Sequence, residues 1–340
     1  MKNIIFLTHN ENNPSGGGKV IYRFSEIINN FKNFSSEIIH KKKKKFSKFQ
    51  QSINKRLKIK NKKFSGWQLD EVTVAKNFSY DWFKNDIKIK ENFDFNYKND
   101  FIILPEIFAH FANELLIKNK IQYGIFVQNG YVINSTDDEI KLFKAYKNAK
   151  FILSISDNVT NCIKLKFPNL KNKIMKVMSS VDLGEINISG KINMITYMSR
   201  KLPNHSNLVT TYLKPYLSQK WKLQDLNNLT EEKTYEYLKK SKIFLSFSSL
   251  EGVGLPPIEA ALAFNHVVGY TGEGGNEFWK GPLFNKINSG DINNFVLRTI
   301  SLIKKNSLKH NSIKKSHFKL KKKFSRSNEI INIKRFLKKV

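Results

Sequence analysis

At 340 residues, 40% of them apolar, the chain is too long for one ordinary core and has apolar side chains enough to pack two. A single cysteine, Cys162, excludes an intramolecular disulfide, and no apolar run approaches the ~18 residues of a membrane span, so a protein of the reducing cytoplasm is expected. The net charge of +31 points to anionic partners, nucleic acid or membrane among them, although a chain crowded with Lys, Asn, Ile and Phe and poor in Arg also fits an AT-rich genome.

In chain order, residues 3–7 read as a first strand, too short for a signal peptide. The glycine loop Pro14-Ser15-Gly16-Gly17-Gly18 follows, then a helix over 19–30. A strand, a glycine turn and a helix make an anion-friendly corner, because a helix N-terminus carries unpaired N–H groups and a positive dipole. The loop is neither a Walker loop nor G-x-G-x-x-G, and a plain flexible turn is the competing reading. Residues 36–39 read as the next strand, and a basic segment of low complexity runs over 41–63. There Phe46, Phe49, Ile53 and Leu57 recur at intervals of three, four and four, one face of a helix with lysines around it. Such a segment suits the headgroup region of an anionic bilayer, and equally a surface helix that packs its stripe on its own domain. Residues 64–98 show no period and no placeable chemistry.

Strands are predicted at 101–104 and 123–127, the first ending in Pro105-Glu106, with a helix over 108–118 between them. Asp137, Asp138 and Glu139 follow Ser135 and Thr136 and precede an apolar-periodic run, which reads as a capped helix start rather than a metal cluster. A strand at 151–155, a helix capped by Ser156 and a strand at 174–178 close a first α/β domain, and 179–188 read as a linker. The alternation restarts with a strand at 192–198 followed by Ser199-Arg200-Lys201, where cations at a strand's carboxyl end suit an anionic ligand. His205, in the next helix, is assigned a structural role. A strand at 220–225, a loop at 226–229 and a helix capped by Thr230 lead to the most informative stretch, 241–279.

That stretch reads as a strand at 243–247, the turn Glu251-Gly252-Val253-Gly254, a helix opening at Pro256-Pro257, a strand at 266–270 and a second glycine turn, Gly272 to Glu277. Glu251 and Glu259 bracket the helix start, and side chains in a helix lean toward its N-terminus, so both border one pocket. Carboxylates accept hydroxyls, and two of them beside a phosphate-seeking helix end suggest a ligand with sugars on both sides of a diphosphate. Acidic residues near a helix start also simply answer its dipole. A helix over 291–303 and a last helix capped by Ser325 or Ser327 complete the reading.

EGVGLPPIEA, with Glu251 and Glu259 spaced E-x7-E, resembles the signature of retaining GT-B glycosyltransferases of family 4. The resemblance implies two facing Rossmann-like, doubly wound domains with a cleft between them. It divides the chain into an acceptor-side domain at 1–183, joined by the terminal helix 325–340, and a nucleotide-sugar domain at 184–324. It places Glu251 at the donor sugar, Gly254 and Leu255 by the sugar and phosphates, and Glu259 on the ribose. YMSRK is similar to the family's diphosphate-neutralising motif, which assigns Arg200 and Lys201 catalytic roles. Gly274 and Gly275 are similar to its loop beside the donor, Gly16 and Gly17 to its amino-terminal glycine loop, and the loop at 226–229 to its nucleobase contact. Where many relatives carry a histidine, this chain has Gln128-Asn129-Gly130; an amide is no base at neutral pH, so Gln128 is expected to orient the sugar. Glu106, His9 and His110 are further candidates on the acceptor side, and no spacing selects among them.

The expected function is transfer of a sugar from a nucleotide-diphosphate-sugar to a glycan or lipid-linked acceptor with retention, in cell-surface polysaccharide or glycolipid synthesis. No Asp-x-Asp pair occurs, in keeping with a metal-independent enzyme that needs no cofactor. The expected location is cytoplasmic, peripheral on the inner face of the plasma membrane through 41–63. A nucleotide-sugar-binding protein without turnover is the alternative. A nucleic-acid-binding protein would account for the charge, but no recognised module is present and no nucleic acid is expected as partner.

Overall fold

Ile4, Ile5, Phe6 and Leu7 form a continuous apolar run at most 2% exposed, the mark of a strand covered on both faces by helices. They belong to β1 (Lys2–His9), which pairs in parallel with β2 (Phe34–Lys41) on one side and β3 (Asp100–Pro105) on the other. In the computed structural model, which describes residues 1–12, 15–42, 73–83, 86–305 and 311–340, the sheet continues through β4 (Gln122–Val127), β5 (Ile152–Ser154) and β6 (Ile174–Lys176). The order β2-β1-β3-β4-β5-β6 is parallel throughout, and the chain reverses its winding between β1 and β3. Phe24 stacks on Phe126 and Phe101 on Phe151 in its core, with Phe336 against both Phe24 and Phe151.

A second parallel sheet, ordered β11-β10-β9-β7-β8, is built from β7 (Met194–Tyr197), β8 (Lys222–Asp225), β9 (Ile243–Glu251), β10 (His266–Glu273) and β11 (Phe284–Lys286). Here the winding reverses between β7 and β9, which pair directly, Ile195 opposite Ile243. Contacts divide the chain into one unit of Met1–Ile155, Val159–Val177 and Ile330–Val340 and another of Ser156–Asn158 and Met178–Glu329. The final helix (Arg326–Leu337) therefore starts in the second unit and ends in the first. Buried Glu329 holds the chain after β6, accepting from the hydroxyls of Ser179 and Ser180 at 3.3 and 2.6 Å.

Several elements differ from expectation. The three glycines are not a loop before α1 but its first turn: the helix spans Gly16–Asn29, and the hydroxyl of Ser15 caps it by accepting from the Gly18 N–H. The expected α-helix after β3 is a 3₁₀ turn (Glu106–Phe111) followed by a π turn (Asn113–Ile117). At the junction the amide of Asn113 donates to the carbonyls of His110 and Lys141 at 3.0 and 2.9 Å. Asp138 caps α2 (Glu139–Asn148), the helix-start role read for that acidic cluster. Strand β9 runs four residues beyond its expected end, so Glu251 lies on the strand rather than in the turn. Strand β11 and a basic helix at Asn311–Lys323 were not anticipated. From residue 43 onward, the basic segment 41–63 lies outside the described residues. No helix among the described residues is long and apolar enough to cross a membrane.

Candidate active site

In a doubly wound sheet the carboxyl ends of the strands flanking the winding reversal leave a crevice that loops cannot fill, and ligands settle there. In the second unit those strands are β7 and β9. The chain leaving β7 carries Ser199, Arg200 and Lys201; β9 ends in Glu251. The Lys201 ammonium meets the Glu251 carboxylate at 2.8 Å across this point, both side chains partly exposed. Arg200 is exposed at the same strand end. The sequence named these three residues from separate motifs, and the fold brings Lys201 and Glu251 into contact.

The turn after Glu251 is shaped by glycine. Gly254 sits at φ +80°, a left-handed conformation that costs a side-chain-bearing residue energy, and leads into the helix Leu255–Leu262, with prolines in its first turn. The hydroxyl of Ser156 donates to the carbonyl of Gly252 at 2.5 Å and holds the turn. A methyl on Gly274, in the second glycine turn, would fall on the backbone carbonyl of Gly252, so the two turns are in backbone contact. A methyl on Gly275 would stand 2.7 Å from the indole nitrogen of Trp279. Glu277, the last residue of this turn, is paired with Lys323 at 3.7 Å.

Glu259 lies within the helix, 8% exposed, and accepts a hydrogen bond from the hydroxyl of Tyr235 at 3.1 Å. Tyr235 stands on the helix Glu231–Lys240, capped as expected by Thr230. It went unread because nothing in its local sequence shows that it crosses to a carboxylate 24 positions away. Asp225, at the end of β8, accepts from the Ser199 hydroxyl at 2.6 Å and from the Asn227 N–H at 3.0 Å. It ties the segment before Arg200 to the loop at 226–229. Nothing in its local sequence shows that it reaches a serine 26 positions earlier. His205 donates to or accepts from the Tyr270 hydroxyl at 3.1 Å, the structural role expected of it.

The first unit reverses its winding between β1 and β3, and a second polar corner forms there. Gly17 faces Gln128: a methyl on Gly17 would stand 2.6 Å from the Gln128 amide oxygen. Beneath them Glu106, 5% exposed, accepts the N–H groups of Gln128 and Asn129 at 3.1 and 2.9 Å. Burial pushes its carboxyl up to about 7 despite those donors, which favour the charged form. Gly16, Gly17, Gln128 and Glu106 are thus neighbours, with Glu106 under the loop holding its backbone. His110 is 2% exposed against Phe111, its backbone N–H donating to the Ser135 hydroxyl at 3.3 Å. His9 is tied to Tyr80, whose hydroxyl lies 3.1 Å from the ring nitrogen and donates to the His9 carbonyl at 3.0 Å. Tyr80 comes from the stretch assigned no chemistry. Its ring fills the space where Gly18 lacks a side chain and stacks on Tyr22 and Trp82.

Among the described residues no three His, Cys, Asp or Glu side chains converge as metal ligands do. No protein-family model matches the sequence. No curated protein matches it either. Solved structures do resemble the fold. TarM, a protein of S. aureus, superposes with a TM-score of 0.67 at 11% identity, over 100% of this chain and 98% of its own. HepE of Anabaena, in complex with UDP and glucose, gives 0.68 at 9% identity, over 100% of both chains. The lipopolysaccharide outer core galactosyltransferase WaaB gives 0.59 at 13% identity, over 99% of this chain and 100% of its own. Likeness at such identities establishes the fold: two Rossmann-like parallel α/β domains, the GT-B glycosyltransferase architecture.

Proposed function

We propose that the chain is a glycosyltransferase that takes a nucleotide-diphosphate-sugar as donor. The observation that carries this reading is the meeting of Lys201 and Glu251 across the winding reversal of the second sheet, at the mouth of the helix that bears Glu259. A diphosphate competes with Glu251 for the Lys201 ammonium. Binding then hands the lysine to the phosphates and frees the carboxylate for the sugar, while Glu259, oriented by Tyr235, takes the ribose hydroxyls. Arg200, Lys201 and the N-terminus of the helix offset charge developing on the departing nucleoside diphosphate, the kind of preorganised electrostatic help that often dominates a barrier. The bond between the sugar's anomeric carbon and the phosphate oxygen breaks, the acceptor hydroxyl oxygen bonds to that carbon, which passes through an oxocarbenium-like state, and the hydroxyl proton passes to the departing phosphate.

The finer reading follows the family 4 signature: retention of configuration, no metal, and a glycan or lipid-linked acceptor used in the cytoplasm for cell-surface polysaccharide or glycolipid synthesis. Two neighbours support the donor class: HepE was captured with UDP and glucose, and S. aureus TarM with UDP and alpha-GlcNAc-glycerol. In the first unit, Gly17 and Gln128 offer the sugar or acceptor an amide and a helix N-terminus, with Glu106 fixing their loop. The test is incubation with a panel of nucleotide sugars and candidate acceptors, following nucleoside diphosphate release and reading the product's anomeric configuration by NMR. Release that depends on Arg200 and an axial-to-axial or equatorial-to-equatorial outcome agree with the proposal. Donor binding without release under any acceptor would leave a binding protein, and an inverted product would refute retention.

A further inference from the structure

The helix Asn311–Lys323 carries a feature that neither folding nor donor chemistry requires. At roughly 100° per residue, Ile313, His317, Leu320 and the following Phe324 fall on one side. That side is packed: Ile313, Leu320 and Phe324 are at most 6% exposed, and the His317 ring stacks on Phe264 at 3.7 Å and meets the Leu262 carbonyl at 2.8 Å. Phe318 points the opposite way and is 69% exposed. Around it on the same wheel, Lys314 and Lys322 lie within about 40° and Lys315 and Lys321 within about 60°, all four exposed. A phenyl ring therefore stands at the centre of an outward face, flanked on both sides by lysines, with no acidic residue on the helix.

We propose that this face docks the protein on an anionic lipid bilayer. The pattern has the two components of an interfacial site: a ring to enter the boundary between headgroups and acyl chains, and ammonium groups spaced to remain among lipid phosphates. A soluble polyanion would use the lysines and leave the ring in water. Because the inner side is already anchored, docking needs little further ordering of the helix. The proposal does not rest on the enzymatic reading.

The full chain is tested by sedimentation with vesicles of mixed phosphatidylglycerol and phosphatidylcholine and with vesicles of phosphatidylcholine alone, at low and high salt. The expected result is binding to the anionic vesicles only, fading with salt. Lys314→Glu with Lys321→Glu should weaken it at least about tenfold, and Phe318→Ser several-fold, with unchanged melting temperatures. Phe318→Trp provides a local reading even if the serine variant folds poorly: its added emission should shift to the blue on anionic vesicles and be quenched by brominated lipid. The proposal is overturned if the charge-reversed variant sediments as the wild type does, if the added tryptophan emission is unmoved by vesicles, or if heparin binds the chain while anionic vesicles do not.

Discussion

Around the glycine turn of the second unit the charges are partly exposed and satisfy one another: Lys201 holds Glu251, and Arg200 is open to solvent beside them. In the first unit, Gly17 faces a neutral amide, and the carboxylate of Glu106 is buried beneath the loop, spent on backbone N–H groups. Both corners use a helix N-terminus at a winding reversal. An exposed ion pair is exchangeable, because a ligand replaces one partner without leaving a buried charge behind. A buried carboxylate under a loop is not exchangeable; it fixes geometry. Under the proposed function the second unit grips the charged part of the substrate, and the first offers a neutral amide beside its glycine helix start.

The two corners differ most at their glycines. A side chain on Gly274 meets the backbone of Glu251 and Gly252, and backbone cannot step away. Gly274→Ala should cost about 3 kcal/mol in a denaturation midpoint series and abolish sugar transfer. A variant that kept wild-type stability would show that the two turns of the second unit are not locked together.

Next in size is Glu106→Gln. Burial pushes the Glu106 carboxyl up to about 7 from an ordinary 4.5, so between those values the unfolded chain gives up a proton that the folded chain retains. Stability conferred by the retained proton is present below 4.5 and is lost as pH rises toward 7, by up to about 3 kcal/mol. Chemical denaturation across that window should show the slope in the wild type and a flatter profile in the glutamine variant. The same slope in both would take Glu106 out of the buried role assigned to it.

Arg200→Ala and Glu259→Ala should each weaken nucleotide binding by one to two decades, ~1.5–3 kcal/mol, measured by calorimetry, with little change in melting temperature for Arg200→Ala. Binding unchanged in both would separate the Lys201–Glu251 pair from any donor site. The smallest effect is expected at Gly17→Ala. The added methyl meets only the end of the flexible Gln128 side chain, and alanine favours a helix, so stability should move by less than about 1 kcal/mol. A large loss there would mean that Gln128 is held as rigidly as the backbone at Gly274.

The parts of the fold that were legible were those written in local periodicity. The apolar run at 243–247, the prolines at the helix start and the Thr230 cap each act on their own neighbours. Glu251 and Glu259 could be read because their spacing lies within one turn and one helix. Tyr80, Tyr235 and Asp225 were not legible as site supports, because each acts on a residue 24 to 72 positions away and only the sheet order brings them together. The change from 3₁₀ to π turn after Glu106 was not legible either: the Asn113 amide at its junction reaches a carbonyl 28 positions away. The helix at Asn311–Lys323 was masked by its own lysines, which read as solvated surface until Ile313, Leu320 and Phe324 were seen packed beneath it.

The charged corner of the second unit is proposed to seat a nucleoside diphosphate. Its most direct test is the melting temperature of the chain against a panel of nucleoside diphosphates and their sugars, with Arg200→Ala in parallel. A ligand at ~100 times its Kd should stabilise the wild type by roughly 2.7 kcal/mol and the variant far less. No shift with any member of the panel, or an equal shift in Arg200→Ala, would contradict it.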